Sequence, residues 1–130
     1  TQVRQVGSAS PPPDQDLTLA LEIRKAGFLA ALERLSQAQK LLEKIEKSLQ
    51  DRPQLAQSAD LVWARILEQK KEYAAAIERC KNAALESESA KLRHEALQIM
   101  GRCYEAREEF EKAALAYSGH CPLFREERRQ

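Results

Sequence analysis

The side chains best suited to chemistry in this chain are two histidines, His94 and His120, and three cysteines, Cys80, Cys103 and Cys121. Imidazole and thiolate are the usual protein ligands of zinc, and a thiolate activated by an imidazole is a nucleophile. Both uses depend on spacing. A zinc site needs paired ligands of the CxxC or HxxxH kind, whereas His120 and Cys121 are adjacent and Cys80 and Cys103 stand alone. The spacing predicts no metal site and no cofactor. Cys80 lies on an apolar repeat and is expected to pack as a small hydrophobe, leaving Cys103 and Cys121 as candidate accessible thiols. An odd number of widely spaced cysteines is not a disulfide framework, which favours a reducing, cytoplasmic setting. No GxSxG, Walker-type or GxGxxG sequence occurs, and four glycines are too few to cradle a phosphate. No nucleophile, base and oxyanion donor can be named together, so the chain reads as non-enzymatic.

The elements that must carry these residues are helical. Valine occurs only at Val3, Val6 and Val62, and aromatics are 5% of the chain, so a sheet has little to be made from. Twenty-one Lys and Arg against twenty Asp and Glu leave a formal charge of +1, too small to steer the chain to nucleic acid. Arg125, Arg128 and Arg129 are interleaved with Glu126 and Glu127, which compensates the one basic cluster. No run approaches the roughly 18 apolar residues of a membrane helix, so no membrane insertion is expected. The chain begins Thr1-Gln2-Val3 without Met, which leaves room for a removed targeting segment or a longer parent protein.

Residues 1–16, with Pro11-Pro12-Pro13, read as a flexible proline-rich lead-in, 17–124 as one helical domain, and 125–130 as a charged tail. Leu35, Ala38, Leu42, Ile45 and Leu49 step by three and four, a stripe on one helix face that ends at Asp51-Arg52-Pro53. Helical spacing resumes with Ala59, Val62, Trp63 and Ile66, breaks at the charged stretch from Glu68 to Glu72, and resumes with Tyr73, Ala76, Ile77 and Cys80. Glu86-Ser87-Glu88-Ser89 is a second break, Ala106 to Glu109 a charged turn, and Gly119 with Pro122 closes the last helix. Trp63 is expected in the core. Phe28 is hard to bury together with Leu29 and Leu32 on one face of the first hairpin and is expected to mark an exposed patch for self-association or docking.

The apolar pattern repeats. Ala64 and Gly101, Tyr73 and Phe110, and Ala76 and Ala113 are each 37 residues apart. The units read Gly101, Tyr104, Phe110, Ala113, Tyr117; Ala64, Leu67, Tyr73, Ala76, Cys80; and, with an offset of 38, Ala26, Leu29, Leu35, Ala38, Leu42. This pattern resembles the tetratricopeptide repeat, in which small residues let two antiparallel helices approach and aromatics fill the gaps between hairpins. The resemblance implies an all-α fold: antiparallel helical hairpins stacked as a short right-handed superhelix, in units of about 19–52, 57–90 and 94–124. Two departures stand out. The turn glycine of the family is replaced by Glu33, Lys71 and Glu108, and the repeat is longer than the family's 34 residues.

By the same resemblance, the first helix of each hairpin lines a concave groove that takes a peptide or helix of another protein. The groove positions are Ala20, Ile23, Gly27 and Ala30 in the first unit, Leu61, Arg65 and Glu68 in the second, and Ile99, Arg102 and Glu105 in the third. Arg65 and Arg102 are equivalent and form a candidate ladder for a ligand carboxylate or carbonyls. The competing reading pairs them with Glu68 and Glu105, three residues on along their own helices. The family's clamp for C-terminal carboxylates falls on Ile23, Gly27, Val62, Glu95 and Ile99, so that clamp is absent. The expected function is an adaptor or scaffold module for a protein or peptide partner. The alternatives are a self-assembling domain that forms a homo-oligomer through its terminal hairpins, and a regulatory or targeting domain of a longer protein. The competing fold is a helical bundle in which 17–50 is one continuous helix.

Overall fold

The computed structural model describes residues 13–122, and every regular element in that span is helical. Helix α1 spans Pro13–Ala31 and α2 Leu35–Ile45, which runs on into a 3₁₀ turn at Glu46–Leu49. Then come α3 (Pro53–Gln69), α4 (Tyr73–Glu86), α5 (Ala90–Ala106) and α6 (Phe110–Tyr117). They form three helical hairpins, α1–α2, α3–α4 and α5–α6. Consecutive hairpins stack: α3 touches α1 and α2, and α5 touches α3 and α4. The break after Ala31 excludes a continuous helix over 17–50.

All three hairpin turns use one device. Glu33, Lys71 and Glu108 have φ of 64°, 64° and 63°, the left-handed conformation that favours glycine. At the first turn Arg34 N–H donates to the Leu29 carbonyl at 2.8 Å and Glu33 N–H to that of Ala30 at 2.9 Å. The same two bonds recur from Glu72 to Leu67 and Lys71 to Glu68, and from Glu109 to Tyr104 and Glu108 to Glu105. These are the crossed 6→1 and 5→2 bonds that satisfy the last carbonyls of a helix. Their recurrence explains how non-glycine residues hold this conformation, since a left-handed backbone costs an L-residue about 1 kcal/mol. Gly119, φ 94°, closes α6 in the same way.

The helices start earlier than the apolar stripes suggest. Helix α1 begins at Pro13, so 13–16 belong to a helix and not to the lead-in; 1–12 and the tail at 125–130 lie outside the described residues. A proline suits a first turn because its φ is preset and the missing N–H would have had no helical partner. Arg52 fixes this end, donating from Nε to Asp16 Oδ1 at 2.6 Å, from Nη2 to Gln15 Oε1 at 3.3 Å and from Nη1 to the Ser48 carbonyl at 2.7 Å. The second and third hairpins start at Pro53 and Ala90, ahead of the 57 and 94 drawn from the apolar pattern. Pro53 supplies a first-turn proline, and Ser89 caps α5 by accepting from Leu92 N–H at 3.2 Å.

Two core clusters meet at α3. Ala59, Val62 and Ile66 face the first, with Ile23, Ala26 and Leu42, while Leu61 and Ala64 face the second, with Cys80, Ile99 and Met100. A helix with apolar residues on two faces is what a stack requires of its middle layer. The small residues set the approach within each hairpin. A Cβ on Gly101 would lie 2.6 Å from Tyr117 Cε1, so Gly101 makes room for that ring.

Candidate functional site

Helices α3 and α5 pack against each other. The four charged residues of the expected ladder all lie on this pair, but they do not pair along their own helices. Arg102 on α5 donates from Nε and Nη2 to Glu68 Oε2 and Oε1 on α3, at 2.7 and 3.0 Å, a two-pronged contact that suits the planar guanidinium. Arg65 on α3 reaches the other way, its Nη2 3.8 Å from Glu95 Oε1 on α5. Glu105 accepts the Tyr117 hydroxyl at 2.8 Å. The Glu68 carboxylate holds the Arg102 guanidinium above its ordinary pKa, and partial burial together with Glu105 raises that of Tyr117.

The two arginines differ in what they leave open. Arg102 is satisfied by both oxygens of Glu68, whereas Arg65 and Glu95 are beyond hydrogen-bonding distance and only attract. The reason lies one repeat back. The residue equivalent to Glu68 on α1 is Ala30, so Arg65 has no acid on the preceding helix to grip as Arg102 does. Ala30 instead offers its backbone: Gln69 Nε2 donates to the Ala30 carbonyl at 3.0 Å.

The remaining groove candidates divide by burial. Ile23, Ala30, Leu61 and Ile99 are within the core and are removed from any accessible surface. They lie in the seams between hairpins, where a helix packed on both sides buries more of its circumference than a groove-lining helix exposed on one. Gly27 and Ala20 are half-buried, and a Cβ added at Gly27 would meet Val62 at ordinary contact distance. The accessible site therefore contracts to Arg65, Glu68, Arg102 and Glu105, joined by Glu95. Sequence reasoning did not bring Glu95 to Arg65, because that contact depends on how α3 and α5 are staggered.

Two of the three candidate nucleophiles are sealed in the core. Cys80 and Cys103 are fully buried and Cys121 partly so, and all three are free thiols. Cys103 is thus not an accessible thiol; its position faces the preceding hairpin. Burial pushes both thiols up, Cys103 to about 12, away from the thiolate form that attacks or ligates. Among the described residues no group of three or more His, Cys, Asp and Glu side chains is disposed to hold a metal ion. No helix among them is long and apolar enough to cross a membrane.

Trp63 is half-buried at the edge of the first core, and Arg79 lies over its ring, 4.9 Å from the centroid. Arg79 also donates to Asp60 at 2.9 Å; burial of Asp60 outweighs this cation and raises its pKa. The cleft they line with Leu42 and Leu49 holds ≈ 200 Å³. Small-molecule sites usually enclose about 300–1,000 Å³. A more open depression of ≈ 410 Å³ is lined by Leu35, Ser36, Gln39, Lys40, Glu43 and Lys70, without the apolar walls that bury a ligand. In comparisons with known proteins, no family model, curated protein or solved structure matches the chain.

Proposed function

We propose that the chain is a tetratricopeptide-like, non-enzymatic adaptor that binds a peptide or helix of a partner protein along the face shared by α3 and α5. The observation that supports this is the continuous polar surface made by Arg65, Glu95, Arg102, Glu68 and Glu105, bridged between helices by two ion pairs. Such a surface presents cations and carboxylates at fixed separations on a packed scaffold, which suits a partner segment carrying charges of both signs. Arg65 is the recognition residue, because its contact with Glu95 is long enough for a ligand carboxylate to replace. Arg102 positions Glu68 and stiffens the floor. The burial of Cys80 and Cys103 favours this role over catalysis by those thiols.

The test is affinity selection of partner peptides on immobilised wild-type chain, with each selected peptide then titrated against Arg65→Ala and Arg102→Ala variants. Arg65→Ala should weaken binding about tenfold, equal to about 1.4 kcal/mol, and Arg102→Ala less. If every selected peptide binds both variants as it binds wild type, the site is elsewhere.

A further inference from the structure

The internal repeat offers a direct comparison for the cleft beside Trp63. In the second seam between hairpins, Cys80, Ala84, Ala96, Leu97, Met100 and Ala116 belong to one buried apolar cluster. Their counterparts one repeat back are Leu42, Glu46, Ala59, Asp60, Trp63 and Arg79, at an offset of 38 for α2 and its 3₁₀ turn and 37 for α3 and α4. All six counterparts line the cleft of ≈ 200 Å³. Four of them differ in kind: Glu46 stands for Ala84, Asp60 for Leu97, Trp63 for Met100 and Arg79 for Ala116. Leu97, Met100 and Ala116 are 7%, 0% and 0% exposed, whereas the Asp60 and Arg79 side chains keep 22% and 39% of their surface. An apolar seam is thus opened here and lined with two carboxylates, an indole and a guanidinium. Stability does not account for the exchange, because a half-buried ion pair returns at best what an apolar filling would give. Such a departure from an otherwise consistent pattern is characteristic of a functional site.

We infer that this cleft is a second binding site, which takes one guanidinium group, either an arginine side chain of a partner chain or a free guanidinium compound. Charge selects a cation. Glu46 and Asp60 line the opening with Arg79 as the sole cation among its lining residues, and Glu46 makes no ion pair with any described residue. The two carboxylates also repel each other: burial, and to a lesser degree Glu46, holds Asp60 above its ordinary pKa despite Arg79. A second cation relieves that repulsion. The walls select the planar, weakly hydrated guanidinium, because Leu42, Leu49 and the Trp63 ring leave little room for the water that an ammonium keeps. Arg79 already shows the mode, with Nη1 2.9 Å from Asp60 Oδ1 and the guanidinium 4.9 Å from the Trp63 ring centroid. The opening exists with Arg79 in that position, so an incoming head group settles beside it without displacing it. Its size suits one head group and excludes a larger ligand. Asp60 and Trp63 turn toward α2 and α4, whereas Arg65 and Glu68 turn toward α5, so this inference is independent of what the α3–α5 face binds.

The chain carries one tryptophan, so Trp63 fluorescence and the shift of its indole Nε1–H report on the cleft directly. Three probes are titrated into the full chain at constant ionic strength. N-acetyl-arginine amide represents a side chain in a polypeptide, free arginine a small guanidinium compound, and N-acetyl-citrulline amide is the uncharged control of the same shape. At least one arginine probe should saturate both signals with a Kd on the order of 1 mM, and the citrulline probe should bind at least about tenfold more weakly. The tighter of the two arginine probes identifies the source. Glu46→Gln, at an exposed and unpaired position, should weaken binding about fivefold, the scale of one exposed ion pair. Asp60→Leu/Arg79→Ala installs the residues of the second seam and should abolish binding while the thermal melt stays cooperative. If that double variant unfolds, Glu46→Gln decides alone. The inference is overturned by the absence of saturable change with both arginine probes, by a citrulline probe that binds as tightly as they do, or by unchanged affinity in Glu46→Gln.

Discussion

The two seams between consecutive hairpins occupy equivalent positions but are held differently. In the first, α3 meets α1 through Ile23, Ala26, Val62 and Ile66, and the polar link is Gln69 to the Ala30 carbonyl. In the second, α5 meets α3 through Leu61, Ala64, Ile99 and Cys103, with the Arg102–Glu68 and Arg65–Glu95 pairs laid over the apolar layer. The difference traces to Ala30, which stands where the next unit has Glu68. Apolar burial thus sets the repeat, and charge is an addition along the outer edge of one seam.

If apolar burial carries both seams alike, truncation should be equally severe in each. Ile66→Ala and Ile99→Ala are each expected to lower stability by about 3 kcal/mol in denaturant unfolding, the cost of a buried cavity. A much smaller loss at Ile99 would mean that the ion pairs share the work. The next effect concerns the closest approach within a hairpin. Gly101→Ala should cost about 1–2 kcal/mol as the Tyr117 ring is displaced. Adding Tyr117→Cys recreates the Ala64–Cys80 combination of the second hairpin and should recover most of the loss, because Ala favours helix over Gly by about 1 kcal/mol. Thermal melts of the single and double variants check this.

Double-mutant cycles distinguish the ion pairs. The coupling of Arg102 with Glu68 should be about 1 kcal/mol at low salt and shrink as salt rises, since both groups contact water; that of Arg65 with Glu95 should be about 0.2 kcal/mol. Equal couplings would remove the ground for treating Arg65 as the available cation. The smallest change tests the turns. Lys71→Gly relieves the left-handed backbone but loosens the unfolded chain, for a net gain of about 0.5 kcal/mol in thermal unfolding.

Much of this architecture is legible in residue spacing, because burial on one side of a helix imposes a period of three to four residues. The breaks at Lys71 and Glu108 interrupt that period, proline and glycine mark Pro53 and Gly119, and the turn at Glu33, which the family resemblance alone suggested, is settled by the break after Ala31. Pro13 to Asp16 escape such a reading, as a first turn without apolar residues has no periodicity to detect. The site was visible only in part. Arg65, Glu68, Arg102 and Glu105 share an offset, but whether they pair along or between helices is decided by interaxial stagger, which a single helix does not encode. The same ignorance of seams assigned Ile23, Ala30, Leu61 and Ile99 to a groove and Cys103 to an accessible surface.

The claim that the polar edge of the second seam is the partner-binding face is tested most directly by ¹⁵N chemical-shift mapping with a selected partner peptide. The largest shifts should fall on Arg65, Glu68, Glu95, Arg102 and Glu105, with α2 and α4 unmoved. Shifts concentrated on the cleft around Trp63 and Arg79, or on the exposed stripe of α1, would contradict it.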